Sequence, residues 1–135
     1  MTRARRGLVA ATLATGLLLA TAGPALAGDS AAPLRSPVGD WRTSTMGVKQ
    51  TITFDDEGRV YGDSGCNRFT GGYKIKGDRI TIGPLASTMM FCEGKMDAEQ
   101  SFLTRLQDAE SYKATKNKLK IFTSEERMVF KAAPA

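Results

Sequence analysis

Short runs of alternating apolar and polar residues, each closed by a turn signal, fill most of the chain after residue 37. Such alternation is typical of β-strands with one face in the core and the other in water. The pattern predicts strands at 38–44, 49–54, 59–62, 68–76 and 79–82, and later at 111–115, 118–123 and 127–131. Because short strands follow one another at close intervals, we expect antiparallel pairing.

Two connections have the composition of tight hairpin turns. Residues 55–58 end in Gly58 and residues 76–78 centre on Gly77, which supplies the permissive backbone that such turns need. In the second hairpin the alternation predicts a core-facing set: Phe69, Tyr73, Ile75, Ile80 and Ile82. It predicts a water-facing set as well: Lys74, Lys76, Arg79 and Thr81. Gly71 and Gly72 interrupt the period and indicate a β-bulge.

One segment has helical periodicity instead. Its apolar residues recur three and four positions apart, at Ala98, Phe102, Leu103, Leu106 and Ala109. The other face carries polar residues, namely Glu99, Gln100, Thr104 and Arg105. Asp97 and Gln100 resemble a capping box, so the helix is predicted over 97–107.

The order of elements indicates an α+β fold in a single small domain. We expect an antiparallel, strongly curved or barrel-like β-sheet of about 8 strands. The one α-helix, at about 97–107, is expected to pack against the sheet or to plug one end of it.

The first 27 residues have the organisation of a cleavable signal peptide. Arg3, Arg5 and Arg6 form a positive start, and the apolar run at 8–22 is shorter than the about 20 residues of a membrane span. Small residues at Ala25 and Ala27 predict cleavage after about Ala27, and an uncleaved anchor is the alternative. Since no cysteine follows to accept a lipid, we expect a secreted, extracellular protein.

The remaining chain divides into three parts. Residues 28–37 mix small and polar residues without periodicity and are predicted to be a flexible linker. The domain itself is predicted at 38–131, and residues 132–135 form a tail. A chain of this length accommodates one domain, with no membrane span in it, and we expect a monomer.

Charge and composition exclude several function classes. The chain has 19 Lys and Arg against 14 Asp and Glu; without the three leader arginines, 16 basic residues remain and the net charge falls from +5 to +2. This balance lacks the basic footprint of a nucleic-acid binder. The absence of histidine removes the usual general base and the usual zinc ligand. We therefore predict no enzyme, no catalytic residue, no cofactor and no metal site.

Cys66 and Cys92 are the two cysteines, and both follow the predicted leader. In an oxidising compartment a disulfide is the default interpretation, and closing a loop of this length stabilises a domain by about 3.5 kcal/mol. Two buried free thiols, or one reactive thiol, are the alternatives.

Around these cysteines the chain resembles the META domain, or HslJ-like, family. The first motif is Gly65-Cys66-Asn67-Arg68-Phe69-Thr70-Gly71-Gly72-Tyr73, and the second is Thr88-Met89-Met90-Phe91-Cys92, followed by Glu99, Phe102, Leu103 and Leu106. Trp41 matches an early strand of the family. The resemblance implies a small bacterial envelope or secreted protein without catalytic residues, associated with heat shock, stress tolerance or envelope integrity.

The motif residues themselves favour a structural role. Gly62, Gly65 and Gly71 suit positive φ or close backbone approach, and Asn67 tolerates the left-handed region. Met89, Met90 and Phe91 are predicted to fill the core, with a hydrophobic pocket as the alternative.

Two charged groups outside the motifs have simple interpretations. Lys116, Lys118 and Lys120 form a basic row at strand period, which predicts a solvated face, with contact to anionic envelope polymers or lipid headgroups as the alternative. Residues 55–57 and 63–64 lack the spacing of a calcium loop and are predicted to be solvated turns.

Three hypotheses of function remain besides the disfavoured enzyme. The leading one is a non-enzymatic exported accessory protein that binds an unknown protein or envelope component. The second is a secreted protease inhibitor that presents a loop near Cys66 or Cys92, with a protease as its partner. The third is a carrier of a small apolar ligand or lipid in the mouth of the barrel.

Overall fold

A computed structural model describes residues 35–134. The elements are β1 (Gly39–Thr45), β2 (Val48–Phe54), β3 (Arg59–Asp63), β4 (Arg68–Lys76), β5 (Arg79–Ser87), α1 (Met96–Gln107), β6 (Ser111–Ala114), β7 (Lys118–Phe122) and β8 (Arg127–Ala132). This confirms the predicted α+β fold of eight antiparallel strands and one helix.

The sheet closes on itself. Each strand pairs with the next in the chain, and β1 also pairs with β8, where Trp41 lies opposite Ala132. The seam between β5 and β6 is the weakest, with Arg79 opposite Ser111 as its paired position. In this barrel, inward side chains alternate with outward ones along every strand.

The inward side chains fill the barrel. The buried apolar set is Trp41, Ile52, Phe54, Val60, Phe69, Ile80, Ile82, Phe102, Leu106, Tyr112, Leu119, Ile121, Met128 and Phe130. Phe102, from α1, packs edge to face on Phe69 and on Phe130, with ring centroids 5.8 and 6.2 Å away. An eight-stranded barrel has an interior about wide enough for side chains to fill, as observed here.

The helix closes one end of the barrel. Because the strands alternate in direction, this loop end gathers the turn at 46–47, the β3–β4 loop at 64–67, the β5–α1 connection at 88–95 and the turn at 123–126. Arg105 of α1 binds Thr45 and Glu126, each at 3.2 Å, and so joins the helix to two of these turns. The opposite, terminal end holds the start of β1, the end of β8 and the turns at 55–58, 77–78 and 115–117.

Several local predictions hold, and others are wrong. The β-bulge lies between Gly71 and Tyr73, as predicted. The capping box is absent, because α1 begins at Met96 and its N-cap residue, Lys95, makes no side-chain cap. Ile75 was predicted to face the core but is 37% exposed, since it lies near the end of β4 beyond the last core layer.

The domain boundaries also shift slightly. Pro37, predicted to be linker, is buried, and its carbonyl oxygen accepts a hydrogen bond from Trp41 Nε1 at 2.7 Å. Ala132, predicted to begin the tail, belongs to β8. The predicted signal peptide at 1–27 and most of the linker lie outside the described residues. Within the described residues, α1 is too short and too polar to cross a bilayer.

Candidate functional site

A disulfide bond joins two connections at the loop end of the barrel. The sulfur atoms of Cys66 and Cys92 are 1.99 Å apart and their Cα atoms 5.8 Å apart. The bond ties the β3–β4 loop to the β5–α1 connection, and neither cysteine is a free thiol. The two sequence motifs, 26 residues apart at these cysteines, therefore form one structural unit.

Asn67 is the centre of this unit. Its side-chain nitrogen donates to the Met90 carbonyl at 2.9 Å and to Glu99 Oε2 at 2.7 Å. Its side-chain oxygen accepts from the Met90 amide at 2.6 Å and from the Thr88 hydroxyl at 2.9 Å. All four hydrogen-bonding positions of the amide are used, in a residue that is 2% exposed. Asn67 thus holds the Thr88 side chain on one side of Met89 and the Met90 backbone on the other.

This role differs from the predicted one. Asn67 does not adopt the left-handed backbone that its residue type allows; among the described residues, the non-glycine residue with positive φ is Met46. The side chain of Asn67, and not its backbone freedom, suits it to the position.

The carboxylate of Glu99 holds Asn67 in place through hydrogen bonds. Glu99 projects from the first turns of α1 into the barrel end and is 5% exposed. Its carboxylate accepts bonds from the Ser64 hydroxyl at 2.6 Å, the Asn67 amide at 2.6 Å and the Cys66 amide at 3.4 Å, besides the bond from the Asn67 side chain. The prediction that Glu99 faces water with the polar side of the helix was wrong, because these donors compensate its burial.

Burial and hydrogen bonding act on the Glu99 carboxyl in opposite directions. Burial raises the pKa of Glu99, while the bonds from Ser64, Asn67 and Cys66 lower it. The donors prevail, so the pKa of Glu99 lies below its ordinary value and the group is ionised at neutral pH. A buried negative charge therefore holds the β3–β4 loop onto the helix.

Gln50 completes the buried polar network. Its side-chain nitrogen donates to the Ser64 carbonyl at 3.0 Å and to the Ala98 carbonyl at 3.2 Å, and its oxygen accepts from Thr45 at 2.7 Å. β2, the β3–β4 loop and α1 are thereby joined. The prediction that Ser64 belongs to a solvated turn was wrong, because its hydroxyl is buried and donates to Glu99. Gln50 was not predicted, since its position inside a strand gives no signal in the pattern.

Three large apolar side chains project from this rigid base. In the segment that we name the methionine loop (residues 88–91), Met89 is 92% exposed, Met90 59% and Phe91 79%. The prediction that they fill the core was wrong, because Asn67 and the disulfide hold their backbone at the surface. Burying such a side chain is ordinarily worth about 1.5–3 kcal/mol, so their exposure needs a reason.

A groove of about 590 Å³ runs between the methionine loop and α1. Its apolar lining includes Leu85, Met90, Phe91, Met96 and Leu103. Polar residues line the rest of the groove, so it is not the hydrophobic pocket of the alternative prediction; among them are Asp97, Gln100, Thr104 and Gln107. The exposed apolar side chains of the methionine loop therefore lie beside a groove of mixed polarity.

The other residues of the two motifs hold the backbone around the disulfide in place. Gly65 has φ +121° and packs so closely that a Cβ would meet Val48 Cγ1 at 2.5 Å; at Gly71 a Cβ would meet the Pro84 carbonyl oxygen at 2.6 Å. The exposed Arg68 pairs through its backbone with Thr88, which binds its amide and carbonyl.

The aromatic motif residues differ in depth. Phe69 is buried in the core. Tyr73 is half-buried, stacks edge to face on Phe54 and donates its hydroxyl proton to the Asp55 carbonyl.

Two further observations concern charged side chains away from this network. The described residues contain no group of three or more His, Cys, Asp or Glu residues that could hold a metal ion. In the turn at 55–58, Asp55 binds the Arg59 amide at 2.7 Å and its guanidinium at 2.9 Å, and the backbone bond from Arg59 lowers the pKa of Asp55 despite some desolvation. Its carboxylate therefore orders the turn.

The family assignment agrees with this architecture. The family model described as META domain matches residues 36–135, which is most of the chain. The chain belongs to the META domain family. Both motifs named above lie within the matched part of this META domain, and so does α1 with Glu99.

Solved structures share the fold of this META domain. An NMR structure of a protein from Burkholderia xenovorans is 20% identical, with a TM-score of 0.62 over 72% of this chain and 83% of that chain. A second NMR structure is 21% identical, with a TM-score of 0.55 over 70% and 88%. At these identities the likeness shows the fold alone. No curated protein matches the sequence.

Proposed function

We propose that this META domain is a non-enzymatic binding protein that acts outside the cytoplasm and contacts a protein partner through the methionine loop. The observation that carries the proposal is the pairing of a rigid backbone with exposed apolar side chains. Asn67 and the disulfide immobilise the loop, so little conformational entropy is lost when a partner covers Met89 and Phe91.

Two features support a location outside the cytoplasm. A disulfide bond between Cys66 and Cys92 persists in oxidising compartments and is rare in the cytosol. The first 27 residues have the pattern of a secretory leader. A role in stress tolerance or envelope integrity, which the family resemblance implies, stays a prediction.

Capture from culture supernatant and envelope fractions tests the proposal. The double variant Met89→Ser/Phe91→Ser removes the apolar side chains without touching the hydrogen bonds of Asn67. Ile75→Ser is the matched control, because Ile75 is an exposed apolar residue at the terminal end of the barrel. We expect wild type and control to retain the same protein and the double variant to lose it, with unchanged unfolding curves. Equal capture by all three contradicts the proposal.

Protease inhibition is a second candidate, and one observation favours it. Asn67 binds the Thr88 hydroxyl on one side of Met89 and the Met90 amide and carbonyl on the other. If a protease cut the bond after Met89, Asn67 and the disulfide at Cys92 would hold both new ends in place, which favours resealing over release. A braced, exposed residue of this kind suits the substrate cleft of a protease.

A change of specificity tests this second candidate. Wild type is expected to inhibit proteases whose primary pocket accepts methionine, and Met89→Arg is expected to redirect inhibition to trypsin. Phe91→Arg serves as the control, because it places the same charge two residues away. If neither wild type nor Met89→Arg inhibits its protease, or if the loop is cleaved as an ordinary substrate, inhibition is rejected.

The structure gives the apolar-ligand carrier no comparable support. The inward positions of the barrel are occupied by side chains that are 0–4% exposed, and α1 covers the loop end. We therefore do not propose ligand carriage within the barrel.

A further inference from the structure

We propose that the outer wall formed by β6, β7, β8 and β1, with the first residues of β2, binds a linear phosphodiester polymer that lacks bases, of the poly(alditol phosphate) type. The wall carries seven outward cations: Arg42, Lys49, Lys113, Lys118, Lys120, Arg127 and Lys131. The proposal is independent of the methionine loop, which lies at the loop end of the barrel.

The strand register places these cations directly opposite one another. Lys113 faces Lys120, and Lys131 lies between Lys118 on one side and Arg42 on the other. Like charges in directly opposed positions destabilise a sheet, whereas opposite charges stabilise it. β6, β7 and β8 nevertheless contain no acidic residue. A bound polyanion would remove this repulsion.

No carboxylate in the described part of the chain forms an ion pair with any of the seven cations. The three ion-paired contacts there join Arg59 to Asp55 and Glu57, and Arg105 to Glu126. Asp40 is the acidic residue of β1, and its carboxylate accepts a bond from the Thr53 hydroxyl. Since the net charge without the leader arginines is only +2, the positive potential of this wall is a local feature.

A groove lies within the wall, between β8, β1 and β2. Its volume is about 560 Å³, and Arg42, Lys49 and Lys131 line it together with the polar residues Thr43, Ser44 and Thr51. The Thr43 hydroxyl already donates to the Val129 carbonyl at 2.8 Å. The cations supply charge and the hydroxyls of Ser44 and Thr51 supply donors, which is the combination that phosphate oxygens accept. Val129 contributes the apolar floor on which an aliphatic backbone can lie.

The residue types and the curvature of the wall indicate which kind of polyanion it binds. Five of the seven cations are lysines, which bind phosphate as point charges rather than in the planar, bidentate geometry of arginine. The cations span neighbouring strands about 4.8 Å apart on a convex surface, which a flexible polymer can follow but a flat bilayer touches only along a line. Among the outward residues of these strands, Phe122 is the one aromatic and is half-buried, so bases find no stacking platform.

The sequence pattern had pointed to part of this surface. Lys118 and Lys120 lie on the outward side of β7, as their strand period predicts. Lys116 belongs to the turn before β7 and not to the strand. The further partners of the row, Lys113, Lys131 and Arg42, come from other strands that only the closed barrel brings alongside.

Binding of the full chain to synthetic poly(glycerol phosphate) of defined length tests the proposal, measured by calorimetry across a series of salt concentrations. We expect binding that weakens with salt, with a logarithmic slope of about −0.7 for each phosphate neutralised. The triple variant Lys118→Gln/Lys120→Gln/Lys131→Gln should weaken binding at low salt by about tenfold or more and reduce the slope by about 2. The control triple Lys74→Gln/Lys76→Gln/Arg79→Gln removes equal charge from exposed positions at the turn between β4 and β5 and should leave both nearly unchanged.

Other outcomes overturn the proposal. Equal losses in the two triple variants would show that only net charge matters. Equal binding of polygalacturonate would refute phosphodiester recognition, and tighter binding of single-stranded DNA would refute a polymer without bases. Binding to anionic vesicles, but not to the free polymer, would assign the wall to a membrane surface. The Met89→Ser/Phe91→Ser variant should bind the polymer like wild type, so this test does not depend on the function proposed for the loop.

Discussion

Replacing Glu99 by glutamine tests whether a buried charge holds the loop end together. The substitution keeps the size of the side chain and removes the negative charge on which the Ser64 hydroxyl, the Cys66 amide and two donors of Asn67 converge. A glutamine offers one acceptor oxygen instead of two. If this oxygen takes the place of Oε1, its own N–H groups face the side-chain nitrogen of Asn67, which is also a donor.

The expected loss follows from this geometry. One charge-assisted bond disappears, and such a bond contributes about 1.5–3 kcal/mol, while the bonds that remain weaken towards the about 1 kcal/mol of neutral pairs. Burying an uncharged amide costs less than burying a carboxylate, which offsets part of the loss. We expect Glu99→Gln to lower the free energy of unfolding by about 3 kcal/mol at neutral pH.

Urea unfolding, followed by the fluorescence of Trp41, measures this loss. Trp41 is the one tryptophan of the chain and is buried in the core. The pKa of Glu99 is lowered in the folded protein, so its contribution is complete above the ordinary pKa of glutamate, about 4.3, and is lost as the pH falls through the lower folded value. The difference between wild type and Glu99→Gln should therefore be largest at neutral pH and shrink in acid.

The matched control is Glu125→Gln, in the exposed turn between β7 and β8. It removes the same charge where the carboxylate has no buried partner, and we expect a change within about 0.5 kcal/mol. The reasoning fails if Glu99→Gln is as stable as this control at neutral pH. It also fails if the gap between wild type and Glu99→Gln stays constant as the pH falls.

Three further changes, measured by urea unfolding, test contacts that stabilise the barrel and its loops. Replacing Cys66 and Cys92 by serine should lower the free energy of unfolding by about 3.5 kcal/mol, and the same loss on adding reductant to wild type would exclude an effect of the serines. Gly62→Ala should cost about 3 kcal/mol or more because its Cβ would clash with the Thr51 carbonyl oxygen of β2. Gly77→Ala, with open space around it, should cost about 1 kcal/mol, and equal losses would contradict the close approach at Gly62. Tyr73→Phe should cost about 1 kcal/mol through its lost hydrogen bond to a turn carbonyl, and no change would show that water replaces it.

The local pattern was enough to predict the positions of most strands, because the alternation of apolar and polar residues shows which side of a strand faces the core. β4 was predicted at its observed bounds, and Gly71 and Gly72 marked its bulge. β5 was predicted to end at Ile82 but continues to Ser87, because pairing with β4 as far as Phe69 carries it through Gly83 and Pro84. Pairing with a neighbour, which a single strand does not reveal, decided its length.

The candidate site was less predictable because distant residues determine it. Glu99 has the composition of an exposed helix position, and only the donors of the loop at 64–67 make its burial favourable. Met89 and Phe91 have the composition of core residues, and the side chain of Asn67, together with the disulfide, keeps their backbone at the surface. In both cases residue type gave the wrong environment, and a long-range hydrogen bond explains why.

The alternation of strand direction has a practical consequence. β1 begins and β8 ends at the same end of the barrel, where the Ala133 amide binds the Asp40 carbonyl. The methionine loop lies at the other end. A tether joined to either end of the domain, whether a fusion partner or a solid support, would therefore leave Met89 and Phe91 pointing away from the attachment. A label attached just before β1 or just after β8 would therefore lie at the end of the barrel opposite the loop.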